Sequence, residues 1–192
     1  MSRAYHPLRC LLLLLAVTLA GCVSRPVIST DTDPQADFGA YRSFGFYSPL
    51  AIEPDGYATP ASGLMKAAVR RELEARGYVY EEGTPDLLVN INAYMNERTD
   101  VVSIPEIRHS IYYSYRANAY FASPYWTERT SVNNYTEGTL NIDLVDARRK
   151  ALAWEGMAVG RVARMKPGQR AERINATVAE IFAQYPHRAG SR

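Results

Sequence analysis

The chain has almost no cysteine: among its 192 residues only Cys10 and Cys22 carry a thiol. Cys10 falls in a leader expected to be removed, so no disulfide is expected within the remainder, and no cysteine cluster exists to hold a metal. Histidine is nearly as scarce, with only His109 and His187 beyond residue 21. They stand far apart in sequence. His187 reads as a solvated tail residue and His109 as a surface side chain, so neither a metal set nor a general base is expected. An excess of charge of one sign is also missing. The net charge is +2, and with Arg3 and Arg9 assigned to the leader, 20 basic side chains face 20 acidic ones. A nucleic-acid binder normally carries a basic excess, so that class is set aside. The chain contains no His-Glu-x-x-His, no Walker glycine loop and no Gly-x-Ser-x-Gly, and Ser62 is followed three places later by Met65 rather than lysine. No cofactor is expected.

A long apolar run is missing as well. The run starting at Leu11 lasts ten residues to Ala20, where a membrane-spanning helix needs about twenty. What is there instead is a basic segment, a short apolar stretch and a small-residue cleavage site, the pattern of a secretory signal. Leu19-Ala20-Gly21-Cys22 resembles the bacterial lipobox, which implies cleavage after Gly21 and acylation of the Cys22 sulfur. Residues 1–21 are therefore expected to leave, and 171 residues to remain. Two or more acyl chains hold a protein to a bilayer where one holds it marginally, at about 0.8 kcal/mol per buried methylene. Val23 rather than Asp follows the cysteine, which by resemblance to the lipoprotein sorting rule implies the outer membrane, facing the periplasm.

Residues 22–36 hold Pro26, Pro34 and polar side chains without periodicity and read as a flexible tether spanning about 20 Å. A single domain is expected over 37–186, with a tail at 187–192. Asp37 to Tyr47 reads as a strand, rich in aromatics. A helix follows, capped by Thr59 or Ser62, with Pro60 in its first turn and Gly77 as its stop. Met65, Ala68, Val69 and Leu73 share one face of it. Leu87, Val89, Ile91, Ala93 and Met95 alternate with more polar residues, as in a sheet covered on one side. Leu140, Ile142 and Leu144 form a second alternating row, Asp146 to Arg149 a turn, and Leu152, Trp154 and Ala158 the return, with Gly156 and Gly160 suggesting a bulge or close packing. Ile174, Val178, Ile181, Phe182 and Tyr185 make the stripe of a second helix ending at Pro186. The expected class is α+β, a mainly antiparallel sheet with two helices packed on one face.

Residues 96–134 form an insert where a hairpin loop of two to five residues is usual. It carries seven aromatics: Tyr112, Tyr113, Tyr115, Tyr120, Phe121, Tyr125 and Trp126. Either the flanking strands run on and the rings pack against one another, or the rings form an adhesive surface for a protein, a glycan or a headgroup layer. Carboxylates are the remaining candidates for chemistry. Asp86 opens a strand, Asp143 points away from the core, Asp146 suits local backbone bonding in the turn, and Glu137 and Glu155 suit cross-strand pairing with arginine. Nothing in the spacing fixes the acid pair a glycosidase needs, so the chain reads as no enzyme.

The segments Asp37-Phe38 to Phe44, Leu73 to Gly77-Tyr78 and Pro85 to Val89, then Gly138-Thr139-Leu140 to Asp146, Leu152 to Gly156 and the closing helix to Tyr185-Pro186, resemble the bacterial lipoproteins grouped as domain-of-unknown-function family 4136. The resemblance implies an α+β envelope lipoprotein and brings no catalytic residue. The expected partners are the membrane, through its lipid anchor, and an envelope protein or cell-wall glycan. A hydrolase of envelope polymers using Asp86 or Glu155, and a purely structural spacer, are the rival readings.

Overall fold

Thr59, Pro60 and Ser62 set the start of a helix by chemistry confined to four residues. Thr59 Oγ1 accepts from Ser62 N while Ser62 Oγ accepts from Thr59 N, and Pro60 takes the first position, where its missing N–H costs nothing. Such local rules build the elements of the computed structural model, which describes residues 25–53, 55–162 and 168–190. The leader and Cys22 lie outside the described residues. In chain order the elements are β1 (Val27–Thr32), β2 (Ser43–Phe46), α1 (Pro60–Glu74), β3 (Val79–Tyr80), β4 (Leu87–Ser114), β5 (Ala119–Asp146), β6 (Ala151–Arg161) and α2 (Gln169–Phe182).

The strands form one mixed sheet in the order β1-β6-β5-β4-β2-β3. The pairs β1/β6, β6/β5 and β5/β4 are antiparallel, whereas β2 runs parallel to both β4 and β3. Helix α1 connects β2 to β3 as the crossover that a parallel pair requires. The alternating rows Leu87, Val89, Ile91 and Leu140, Ile142, Leu144 are buried with Ala68, Val69 and Leu73 of α1 and Val178, Ile181 and Phe182 of α2 in one core. Trp154 sits at its centre, fully buried, with ring centroids 5.6 Å from Phe182 and 4.9 Å from Tyr185. Gly156 permits this: a Cβ there would lie 2.4 Å from both Trp154 and Ile181.

Four expectations are corrected. Val27–Thr32, inside the stretch read as a flexible tether, is an edge strand paired with β6 from Val27↔Val159 to Thr32↔Trp154; its backbone finds partners that its own side chains do not announce. The strand expected from Asp37 shortens to β2, because Asp37 Oδ1 accepts from Gly39 N and turns the chain, while Phe38 and Tyr41 are buried in the core from irregular backbone. Leu152 does not face inward with Trp154. A register shift at Leu144/Val145 makes Leu152 oppose Val145 while Trp154 opposes Leu144, so Ala153 is the extra residue and the parity flips. Finally, His187 is no free tail residue: its ring stacks on Phe38 at 3.7 Å, burial lowers its pKa, and Ala189 N and Gly190 N donate to the carbonyls of Arg76 and Tyr41.

Candidate interaction surface

The insert is a continuation of β4 and β5. The two strands pair without interruption from Leu87↔Asp146 to Ser114↔Ala119. At about 3.3 Å per residue, the nineteen residues from Asn96 to Ser114 reach roughly 60 Å beyond the body as a two-stranded ribbon. The ribbon turns through Tyr115 to Asn118, with Asn118 at φ 48°, a left-handed conformation that asparagine tolerates.

The register separates the ribbon's side chains into two faces of different character. The face continuous with the buried row Leu87, Val89 and Ile91 carries the cross-strand pairs Val101/Val132, Ile107/Trp126, Ile111/Ala122 and Tyr113/Tyr120. Its charged side chains are Glu97 and Glu128 alone, with no arginine or lysine. The opposite face carries Arg98, Asp100, Glu106, Arg108 and Arg129, whose charges are paired, among the exposed Val102, Ile104, Tyr112, Phe121 and Tyr125. Arg98 meets Glu137 at 3.0 Å, Arg161 meets Asp100 at 2.6 Å and lies over the Tyr135 ring at 3.9 Å, and Glu106 has Arg108 and Arg129 at 3.7 and 3.8 Å. On the first face the polar groups are few: Ser103 Oγ donates to Glu128 at 2.8 Å and Thr99 Oγ1 to Asn134 at 2.9 Å.

Of the seven aromatics, the ribbon brings Tyr113 against Tyr120 at 4.9 Å and Tyr115 at 5.1 Å, and stacks Tyr112 on Phe121 at 6.0 Å. Tyr113 is half-buried; Tyr112, Tyr115, Tyr120, Phe121, Tyr125 and Trp126 are exposed. The strands run on and some rings pack, yet most of the aromatic area stays open to solvent.

Both edges of the ribbon are unpaired among the described residues. The carbonyls of Val89 and Ile91 accept from Tyr47 N and Ile52 N, and that of Thr136 from Val162 N, so odd-numbered residues of β4 and even-numbered residues of β5 turn their backbone outward. Pro105 and Pro124 belong to those sets. Neither removes a bond from the ladder, and each removes one donor from an open edge, which is how natural sheets discourage another strand from adding there.

At the root of the ribbon, on the same face, lies a groove of about 740 Å³ whose apolar lining includes Ile52, Met65, Ala93, Met95, Leu140 and Ile174, with Arg25, Arg161, Arg170 and Arg173 also at its walls.

The carboxylates serve structure. Asp86 Oδ2 accepts from Arg42 N at 2.8 Å and Ser43 N at 3.2 Å, tying the start of β2 to β4. Asp146 is buried and accepts from Arg148 N, Arg149 N and Tyr41 Oη; burial alone would raise its pKa, but these donors hold it below the ordinary carboxylate value. Buried Glu53 accepts from Ser62 Oγ at 2.6 Å and Leu50 N, and the serine bond keeps its pKa low. Sequence reading missed Glu53 and Tyr41, since their partners lie in other elements. Asp143 and Glu155 face each other across β5 and β6. Burial raises both pKa values, and for Glu155 the Asp143 and Asp31 charges add to it. Glu155 binds Asn141 Nδ2 at 2.9 Å rather than an arginine, so of the two expected glutamate–arginine pairs only that of Glu137 forms. His109 lies on the exposed ribbon. Among the described residues no three metal-ligating side chains cluster, and no helix is long and apolar enough to cross a membrane.

Comparison with known proteins places this arrangement. A family model described as "Domain of unknown function (DUF4136)" matches residues 28–187. Two solved structures share the fold. A DUF4136 family protein from Bacteroides thetaiotaomicron aligns with TM-score 0.53 and 16% identity over 88% of this chain and 100% of its own. A PDZ domain protein from Parabacteroides distasonis aligns with TM-score 0.53 and 15% identity over 84% of this chain. This chain spans 36% of that protein's length. No curated protein matches the chain.

Proposed function

This chain belongs to the DUF4136 family, and on that premise we propose that it is a non-enzymatic envelope lipoprotein whose ribbon is a binding element. Cleavage before Cys22 and acylation of its sulfur anchor it, and Val23 directs it to the outer membrane, where the domain faces the periplasm. The short spacing from Cys22 to the edge strand at Val27 holds the domain close to the bilayer. Both helices cover one face of a mainly antiparallel sheet, a reading supported by the single core that α1, α2 and the alternating strand rows share. The ribbon is free to project past them.

The observation that carries the reading is the contrast between body and ribbon. Of the body's carboxylates, Asp86, Asp146 and Glu53 are committed to backbone and hydroxyl donors, which leaves the Asp143–Glu155 pair as the one candidate for acid–base chemistry among the carboxylates considered. The ribbon meanwhile presents tyrosine and tryptophan, which bury large area while keeping a polar tip. A cell-wall glycan or an envelope protein suits such a surface. Replacing residues 99–134 by Asn-Gly, a two-residue hairpin turn, tests it. The shortened chain is expected to keep the thermal midpoint of the body and to lose co-sedimentation with purified cell-wall sacculi, or cross-links to envelope proteins. Unchanged association, or an unfolded chain, refutes the reading.

The rival hydrolase reading draws on the Asp143–Glu155 pair with its raised pKa values. Incubating the purified chain with sacculi across pH 4 to 8 and assaying soluble sugar–peptide fragments decides it, since release of fragments that Glu155→Gln abolishes makes the chain an enzyme.

A further inference from the structure

We infer that the apolar face of the ribbon is a self-association surface, and that its occupant is the same face of a second copy of this chain. The inference rests on the binding role proposed above and names the partner. Val101, Ile107, Ile111, Tyr120, Trp126 and Val132 expose 65, 49, 72, 75, 73 and 60% of themselves. At about 100 Å² or more apiece they offer roughly 700 Å² per copy, so two copies bury about 1,400 Å², within the range of a stable protein interface. A two-stranded ribbon by itself is marginal in water, and a packed face is what such ribbons need.

Three features select a second copy stacked face to face. The prolines at 105 and 124 blunt both edges, which disfavours strand addition and leaves the flat of the ribbon as the surface to be met. The arginines sit on the opposite face, paired between strands or, for Arg108–Glu106, within one, while the proposed contact face has only Glu97 and Glu128 as charges, Glu128 bound by Ser103 Oγ. A lipid surface fits poorly: the open edges would carry unpaired backbone N–H and C=O groups into hydrocarbon, and the apolar face lacks the arginine or lysine that meets headgroup phosphates. A second copy meets two exposed faces with one contact and leaves all four edges in water.

The test uses the full chain, purified in detergent and followed by density-matched sedimentation. The wild-type chain is expected to sediment as a multiple of its own mass at 20 µM. Ile107→Glu combined with Trp126→Glu, a cross-strand pair on the apolar face, is expected to sediment as a monomer, with association weakened at least tenfold. Ser110→Glu with Ser123→Glu, a cross-strand pair on the opposite face, adds equal charge and is expected to leave the assembly intact. A wild-type monomer, or an assembly indifferent to the first pair, overturns the inference. Should the first pair fail to fold by circular dichroism, cross-linking decides instead: a bismaleimide is expected to join copies of Trp126→Cys and not of Ser123→Cys, and the reverse overturns it. Quenching of Trp126 fluorescence by brominated acyl chains in vesicles bearing the chain makes lipid the occupant and also overturns it. Sacculus and envelope-protein binding by the ribbon is read separately, so a monomer that still binds them refutes self-association alone.

Discussion

Replacing Gly156 by alanine tests the account of the core most directly. The added Cβ would stand 2.4 Å from Ile181 Cγ2 and 2.4 Å from Trp154 Cη2, where carbon atoms in contact prefer about 3.5–4.0 Å. Neither neighbour is a loose side-chain end. Trp154 is wedged between Phe182 and Tyr185, and Ile181 is fully buried on α2. Overpacking of this kind costs typically 1–3 kcal/mol, and two clashes against fixed neighbours put Gly156→Ala near about 3 kcal/mol. For a chain of this size that is roughly 6–12 °C in Tm. Gly63→Ala is the companion. Gly63 lies exposed inside α1 with nothing within 4 Å of the new atom, so the same substitution should stabilise by about 0.5–1 kcal/mol through helix propensity. Urea melts followed by circular dichroism measure both. If Gly156→Ala changes stability by less than about 0.5 kcal/mol, the size of an ordinary surface substitution, the close packing of Trp154 on β6 is not as described.

Two further outcomes follow from the same geometry. Asp146 and Glu53 have pKa values held low by their donors, so each ionises in the folded state at a lower pH than in the unfolded chain. Their contribution is present above about pH 4 and is lost as pH falls through the folded values. The urea midpoint should therefore decline between about pH 5 and 3, and Asp146→Asn should lower it at pH 7 while flattening that decline; an unaltered slope counts against the assignment. Leu152→Asn should change stability by no more than about 0.5 kcal/mol whereas Trp154→Ala costs about 3–5 kcal/mol, and comparable losses at the two sites in the same urea melts would contradict the parity change at Ala153.

Several elements were legible because their causes are local. The Thr59–Ser62 cap and the Gly77 stop, at φ 87°, involve residues within a few places of one another. So does the Asp146 turn, in which the carboxylate binds the backbone two and three residues on. The rows at Leu87 to Ile91 and Leu140 to Leu144 show a period of two because each strand buries one face. Within the insert, the same alternation is weak, since no helix among the described residues covers it and neither face is forced to be wholly apolar. For that reason the sequence permitted strands through 96–134 without requiring them.

What only the tertiary structure decided depends on partners distant in the chain. The β1 strand exists because β6 offers it an edge 132 residues later at Val27↔Val159 and 122 later at Thr32↔Trp154; its own sequence, polar and flanked by prolines, resembles a linker. Asp86 became a clamp on Arg42 and Ser43, and Tyr41 a donor to Asp146, through contacts spanning 44 and 105 residues. The two faces of the ribbon were likewise invisible until the register set Ile107 beside Trp126 and Val101 beside Val132. The amino-acid order by itself specified where helices begin and stop, which strand positions are apolar and which family the chain resembles, because those features are written in neighbouring residues. Which side of the ribbon carries the arginines, and which carboxylates are already occupied, was settled only when residues far apart in the chain met at hydrogen-bonding distance.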